Sequence, residues 1–346
     1  MSSSRVRLHL LENLCHNEPV NMHSSESPIS RTVSKVLDLA VVPGFSKIGF
    51  LIRKKLGDWS DISDFDLMGK TVVITGPTSG LGAEVARLLA PTGAKLILVG
   101  RNPEKLAAIV AEIGPSCVAG KPESVIAEMG DLAAVRRACK DIQKLSSHID
   151  VLIHNAGALL NSREVSTDGI EQTIASHVVG PYLMTSLLLP ELQGGRVVTV
   201  SSGGMYTKGI PDLRNGASLE MSADKYNGSQ QYAIAKRVQV TLNEMWAERF
   251  PETEFVAMHP GWADTPGVQE SIPGFRRVTA PILRSAREGA DTIAWLAAVD
   301  TLPSASGTFW CDRETWPIHK TSATRKADTP EVRQLLWEAL EQYCRL

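Results

Sequence analysis

The sequence predicts an α/β fold: a doubly wound parallel sheet (Rossmann fold) in a single domain with a helical extension before it. Three observations predict it. From Lys70 onward, short β-branched runs alternate with segments of helical period, which implies βαβ units and a parallel sheet covered on both faces. The first run closes in a glycine-rich turn, Thr75-Gly76-Pro77-Thr78-Ser79-Gly80-Leu81-Gly82, that opens a helix. The chain, at 346 residues and 43% apolar content, has the size and composition of one large α/β domain with extensions.

Taken in order, residues 1–30 are rich in Ser, Asn, His and Glu and lack the apolar stretch of a signal peptide, so a disordered N-terminus is expected. Residues 31–65 form a basic amphipathic helical extension and linker. Val33, Val36, Leu37, Ala40 and Val41, then Phe45, Ile48, Leu51, Ile52 and Leu56, recur at helical spacing on either side of Pro43-Gly44. Lys35, Lys47, Arg53, Lys54 and Lys55 leave two readings open: helices packed on the main domain, or a peripheral membrane contact through 33–56 on an anionic surface. Residues 66–346 form the Rossmann-type domain.

Within it the strands are Thr71–Thr75, Lys95–Val99, Val125–Met129, Asp150–His154, Arg196–Val200 and Phe255–Met258, with a last one at Gly307–Trp310. The helices between them are Leu81–Ala90, Leu106–Ile113, Val135–Leu145, Gly169–Leu189 and Tyr232–Arg249. Two more follow, at Ser285–Ala298 and from Thr329-Pro330 to the end. In such a fold the ligand lies beyond the carboxyl ends of the strands.

A formal charge of -2 gives no reason to expect a nucleic-acid partner. The five cysteines are scattered, with no C-x-x-C pair, as expected of reduced thiols in a cytoplasmic protein without a metal site. No apolar run is long enough to span a bilayer.

The strand ends carry the chemistry. Glycines at 76, 80 and 82 let the backbone approach a pyrophosphate, with Thr75, Ser79 and Leu81 in the same turn and the helix N-terminus supplying amide donors. The second strand ends at Arg101-Asn102, where an acid would bind the ribose 2′-hydroxyl of NAD. No acid is present, and the arginine fork suits a 2′-phosphate, so NADP(H) is preferred and NAD(H) is the alternative. Asp131 and Leu132 follow the third strand, where a carboxylate can accept from an adenine amino group. Asn155-Ala156-Gly157 follows the fourth and allows close approach. Ser201-Ser202 ends the fifth, and Pro260-Gly261 with Thr265 follows the sixth, Thr265 facing a nicotinamide carboxamide. Tyr232 and Lys236, four apart on one helix face, pair a phenol with an ammonium that favours the phenolate and lowers the tyrosine's pKa. Tyr226 has no lysine four residues on and is a poor rival. Trp262, Phe275, Phe309 and Trp310 near the substrate loops suggest an apolar ligand, with core packing as the competing reading.

From about Lys70 to Asp312 these elements, T-G-x-x-x-G-x-G, N-A-G, Ser, Y-x-x-x-K and P-G, occur in an order that resembles the short-chain dehydrogenase/reductase superfamily, in its single-domain branch. The resemblance implies an oxidoreductase that moves hydride between NADP(H) and a carbonyl or secondary alcohol. Tyr232 would exchange the substrate proton, Lys236 would hold the nicotinamide ribose, and Ser202 would bind the carbonyl oxygen, with Ser201 as runner-up. The alternative is a catalytically silent NADP(H)-binding sensor or scaffold. A homo-oligomer is also an expectation. The 30 positions from Ser202 to Tyr232 imply a loop inserted over the site, containing Met205, Tyr206 and Ile210. One departure bears on the site: His177 stands where the family carries an asparagine whose main-chain carbonyl holds a water in a proton relay. Either the main chain at 177 serves that role or the imidazole itself carries protons. Ala235, where serine is common, and His154 before N-A-G are lesser departures.

Overall fold

A computed structural model describes residues 44–271 and 273–346, apart from the side chains at 270, 271, 273 and 275. The expected disordered N-terminus and the apolar stretch from Val33 to Val41 lie outside the described residues.

Eight strands form one sheet in the order β3-β2-β1-β4-β5-β6-β7-β8. They are β1 Thr71–Thr75, β2 Lys95–Gly100, β3 Glu123–Ile126, β4 Val151–His154, β5 Arg196–Val200, β6 Glu254–Met258, β7 Phe309–Cys311 and β8 Glu314–Trp316. All neighbouring pairs are parallel except β7 with β8. The order reverses between β1 and β4, which opens a crevice at the carboxyl ends of those strands.

The strands between the two edges are buried on both faces because helices cover each side. On one face lie α4 (Leu132–Leu145), α5 (Gly180–Leu188), α6 (Gly228–Arg249) and α11 (Pro330–Cys344), gathered around Val73, Val135, Leu183, Val238 and Leu336. On the other lie α2 (Gly80–Leu89), α3 (Pro103–Ile113) and α9 (Ala286–Ala298), around Val72, Ile74, Val85, Ile109 and Ile293. Neighbouring residues Val72 and Val73 serve opposite cores, as the period of two requires. Short helices α7 (Pro266–Ser271), α8 (Pro273–Thr279) and α10 (Ser322–Lys326) complete the set.

Helix α1, Lys47–Leu56, belongs to this body. Its inner face buries Phe50 and Arg53, while Ile48, Leu51 and Leu56 point outward. Arg53 Nη1 donates to Asp312 Oδ2 at 2.8 Å, and Arg284 grips the same carboxylate at 2.5 and 2.8 Å. Phe45, just before α1, stacks on Trp316 and lies edge-on to His259 at 4.4 Å. No helix among the described residues is long and apolar enough to cross a membrane.

Three segments differ from the sequence reading. Strand β3 lies two residues earlier, at Glu123–Ile126, because it is the edge strand and buries only Val125. Its exposed Glu123 and Ser124 hide it from a hydrophobicity pattern. Strand β8 escapes the pattern because it is three residues long and its turn is Asp312-Arg313, both at positive φ (55° and 58°), without the usual glycine. The long helix predicted from Gly169 starts only at Gln172 and runs through a π-helical stretch, Ala175–Val179, before α5. Pro181 explains the π stretch: it has no N–H for the carbonyl of His177, and its ring crowds that carbonyl.

Candidate active site

The glycine turn and the N-A-G segment are stitched together at the crevice. Thr75 Oγ1 donates to Ile153 O and accepts from the amides of Asn155 and Ala156 at 3.0 and 3.1 Å. Asn155 Nδ2 donates back to Thr75 O and Gly76 O. Helix α2 begins so close to the strand end that a Cβ on Gly82 would lie 2.2 Å from Gly76 O. Ser79, the N-cap of α2, makes no side-chain cap. The first-turn amides of Gly80, Leu81 and Gly82 therefore keep their donors for an anion, a cradle that fits a pyrophosphate. Thr265 reaches this turn from beyond β6: a Cβ on Gly80 would sit 3.5 Å from Thr265 Cβ. Pro260 and Gly261 are held from behind by Arg284, whose guanidinium would clash with any Cβ at 261 and which donates to Pro260 O.

The adenosine end is less exclusive than the sequence suggests. Arg101 is 76% exposed, yet its Nη1 pairs with Glu128 Oε2 at 3.0 Å. An acid therefore does stand beside this position, supplied by the segment after β3 and invisible in the β2 end itself. Asn102 caps α3 by accepting from Lys105 N, and Asp131 caps α4 by accepting from Ala134 N. The Leu132 amide is taken by Asp168 Oδ2. Asp131 and Leu132 thus have structural partners, which leaves one Asp131 oxygen for a ligand.

At the crevice floor the serines separate. Ser201 is buried and its hydroxyl donates to the main-chain oxygen of Lys236, whereas Ser202 Oγ accepts from the Gly204 amide at 3.3 Å and lies near enough to Tyr232 to lower its pKa. Helix α6 carries Tyr232 and Lys236 on one face, with Lys236 Nζ 5.2 Å from the centre of the phenol ring. The ammonium donates to Val200 O at 2.9 Å and to Gln239 Oε1 at 3.1 Å. Gln239 Nε2 in turn donates to His177 O at 2.7 Å. The expectation that the lysine lowers the tyrosine's pKa is corrected: burial pushes the phenol up to about 12, against a smaller pull from the nearby Ser202 hydroxyl. Burial also brings the Lys236 ammonium down to about 7.

His177 is buried, and its Nε2 lies 2.9 Å from Ala158 O, which can only accept, so Nε2 carries the hydrogen. The ring stands edge-on to Tyr232 with centroids 5.4 Å apart. It fills the space over Gly157, where a Cβ would come within 2.1 Å of Cε1. Burial, with a further push from Lys236, takes its pKa down to about 3, so the imidazole is neutral at physiological pH. His154 is likewise buried, against Thr185 Oγ1 at 2.8 Å.

The segment from Ser202 to Tyr232 packs several of its side chains into the body of the protein. Met205, Tyr206 and Ile210 are buried, the first two in a small core with Phe45, Phe309 and Trp316, and Tyr206 donates to Pro317 O. Phe309 and Trp310 are core residues of β7. Trp262 is half-buried and donates its amide to Phe45 O, while the Phe275 side chain lies outside the described residues. Tyr226 donates to Glu171 and takes no part in the site.

A glycine turn on the first strand, hydroxyls at the fifth and a Tyr-Lys helix face converge on one crevice, and the comparisons agree with that geometry. The family model for short chain dehydrogenases matches residues 70–211. Dehydrogenase/reductase SDR family member 12 of Bos taurus is 35% identical, over 82% of this chain and 89% of its own. The chain belongs to the short-chain dehydrogenase/reductase family. Human retinol dehydrogenase 12 is 30% identical over 80% of this chain and 89% of its own. Among solved structures, an uncharacterized protein from Mycobacterium paratuberculosis superposes with a TM-score of 0.65 at 27% identity, covering 83% of this chain and 97% of that one. A short chain dehydrogenase from Burkholderia cenocepacia, in complex with NADP, shares the fold at a TM-score of 0.57 and 24% identity, over 70% of this chain and 96% of that one.

Sequence reasoning missed Glu128, Gln239, His259 and the Arg53–Asp312–Arg284 group. His259 Nδ1 accepts from the Gly203 amide at 3.1 Å and so steadies the turn that carries Ser202. For Gln239 a signal existed: it follows Lys236 by three residues, on the same helix face.

Proposed function

We propose that this short-chain dehydrogenase/reductase transfers hydride between NADP(H) and a carbonyl or secondary alcohol, using Ser202, Tyr232 and Lys236. The observation that carries this reading is the placement of Ser202 beside Tyr232, with the buried Lys236 Nζ 5.2 Å from the centre of the phenol ring, at the strand ends next to the glycine turn. Two hydroxyls side by side can hold one substrate oxygen while Tyr232 gives or takes its proton. A phenol held near 12 stays protonated at neutral pH, which suits the donor in the reductive direction. NADP(H) would supply the hydride. Gly76, Gly80, Leu81 and Gly82 would take its pyrophosphate, Asn155 to Gly157 and Thr265 its nicotinamide half, and Arg101 its 2′-phosphate. The Burkholderia neighbour was solved with NADP, in keeping with that choice on this fold. An apolar substrate is supported by the similarity to retinol dehydrogenase 12, which is named for an apolar alcohol.

The test is NADPH oxidation against a panel of aromatic and lipid carbonyls, run on the wild type and on Tyr232→Phe. The variant should lose roughly two to four orders of magnitude in kcat while binding NADPH as before, because only the proton donor is removed. A variant that keeps most of its kcat would show that Tyr232 is not the acid. NADPH binding with no turnover in the wild type across the panel would favour the silent sensor instead.

A further inference from the structure

We propose that Gln239 is a positioning residue for Lys236, a side-chain bridge that fixes the lysine's ammonium to the main-chain carbonyl of His177. Three side by side observations carry it. Gln239 accepts from Lys236 Nζ at 3.1 Å through Oε1 and donates to His177 O at 2.7 Å through Nε2. The orientation of the amide is fixed by chemistry: a carbonyl can only accept and an ammonium can only donate, so the reverse placement would break both bonds. Gln239 and Lys236 are 6% and 4% exposed, so bulk water does not stand in for either partner.

The origin of the bridge is in the sequence. Residue 181 is proline, so the amide that an α-helix would bring to the carbonyl at 177 does not exist. The π-helical stretch Ala175–Val179 carries that carbonyl into the site, and Gln239 meets it there. An amide thus meets the main-chain carbonyl at which the family resemblance places a water. It also explains how the histidine departure is accommodated, since the bridge uses the main chain at 177 and no atom of the imidazole.

The consequence for Lys236 is geometric. An ammonium has three donors. Val200 O and Gln239 Oε1 take two of them, which leaves one for the Tyr232 side of the crevice. The titratable groups facing it are Tyr232 on its own helix and His177 from the π-helical stretch, both neutral at pH 7. The acceptor oxygen of Gln239 therefore stabilises the charged form of a lysine that no carboxylate among the described residues is shown to support.

This proposal rests on the assignment of Lys236 to the site, and its test does not need turnover. Full-length protein labelled with carbon-13 lysine is titrated by NMR, and the Cε signal of Lys236 is identified by its loss in Lys236→Met. Wild type should titrate near 7. Gln239→Leu should lower that midpoint by about one unit, a tenfold change in the equilibrium, and Gln239→Glu should raise it by about one unit or more. His177→Asn should leave it in place. A role confined to packing would lower the melting temperature without moving the midpoint, and midpoints unchanged across both Gln239 variants would overturn the proposal. Should the leucine variant not fold, the glutamate variant, equal in size, carries the test. Absence of NADPH oxidation in every protein while the midpoints still shift would count against the enzymatic reading and leave the bridge standing.

Discussion

At the scale of residues, the site works by pairing each polar group with a partner whose chemistry fixes its orientation. Ser201 is spent on the backbone of α6, and so Ser202 is the serine left facing Tyr232. On the proposed function, the Arg101–Glu128 pair would make cofactor choice a balance of charges, because the arginine would have to exchange a carboxylate for a phosphate. Arg101→Asp should move the NADPH:NADH ratio of kcat/KM towards NADH by roughly thirtyfold, about 2 kcal/mol. Glu128→Gln should move it the other way by freeing the guanidinium; an unaltered ratio in both variants would mean that the pair only closes the strand end. For His177, a neutral imidazole bonded to Ala158 O has no proton to exchange near neutrality. His177→Asn should change kcat by less than about threefold, and its pH–rate profile from 5.5 to 8 should superimpose on that of the wild type. A titration near 6.5 that vanishes in the variant would restore the protonic reading.

At the scale of elements, α1 is joined to the β7–β8 hairpin by one carboxylate. Asp312 lies between Arg53 and Arg284, all three almost wholly buried, and Glu314 approaches Arg53 at 3.7 Å. The left-handed backbone at Asp312 and Arg313 costs energy for residues with a Cβ and persists because these contacts hold it. Asp312→Ala removes the carboxylate shared by two buried guanidinium groups and should cost about 3–5 kcal/mol, read as a melting temperature lower by roughly 5–10 °C. Arg53→Met leaves the Arg284–Asp312 pair intact and should cost much less; equal losses in the two variants would refute the charge argument. The same contacts bear on the extension read from the sequence as either packed helix or membrane contact. The inner face of α1 is committed to the sheet, so only Ile48, Leu51, Leu56 and the neighbouring lysines face outward.

At the scale of the whole molecule, three buried histidines set the acid limit of stability. Burial takes His154, His177 and His259 down to about 3 from an ordinary 6.5. Between those values the unfolded chain binds protons that the folded chain refuses, so stability is lost as pH falls through 6.5 and keeps falling towards 3. Near pH 5 unfolding should take up about three protons from these residues, a slope of roughly 4 kcal/mol per pH unit. Chemical denaturation at pH 5.0, 5.5 and 6.0 measures it, and a slope below one proton would show that these rings are charged in the folded protein. Lys236 acts at the other end of the scale. With its pKa lowered to about 7 from 10.5, its burial penalty is fully present below 7 and is relieved as pH rises towards 10.5.

The sequence by itself determined the parallel strands, the glycine turn and the Tyr232–Lys236 face, because each depends on local periodicity or on residues a few positions apart. Thr71 to Thr75 is uniformly β-branched and ends in glycine, and nothing distant is needed to read it as the strand under a ligand turn. Only the tertiary structure decided what stands beside those residues. Glu128 reaches Arg101 from 27 positions away, Gln239 reaches the carbonyl of His177 from 62, and Arg53 reaches Asp312 from 259. No pattern along the chain encodes such partners, since they meet only when separate elements are laid across the same sheet. Protonation was decided there too. A phenol next to a lysine reads as acidified when only spacing is known, but burial pushes the phenol up and the ammonium down, and burial is a property of the folded chain.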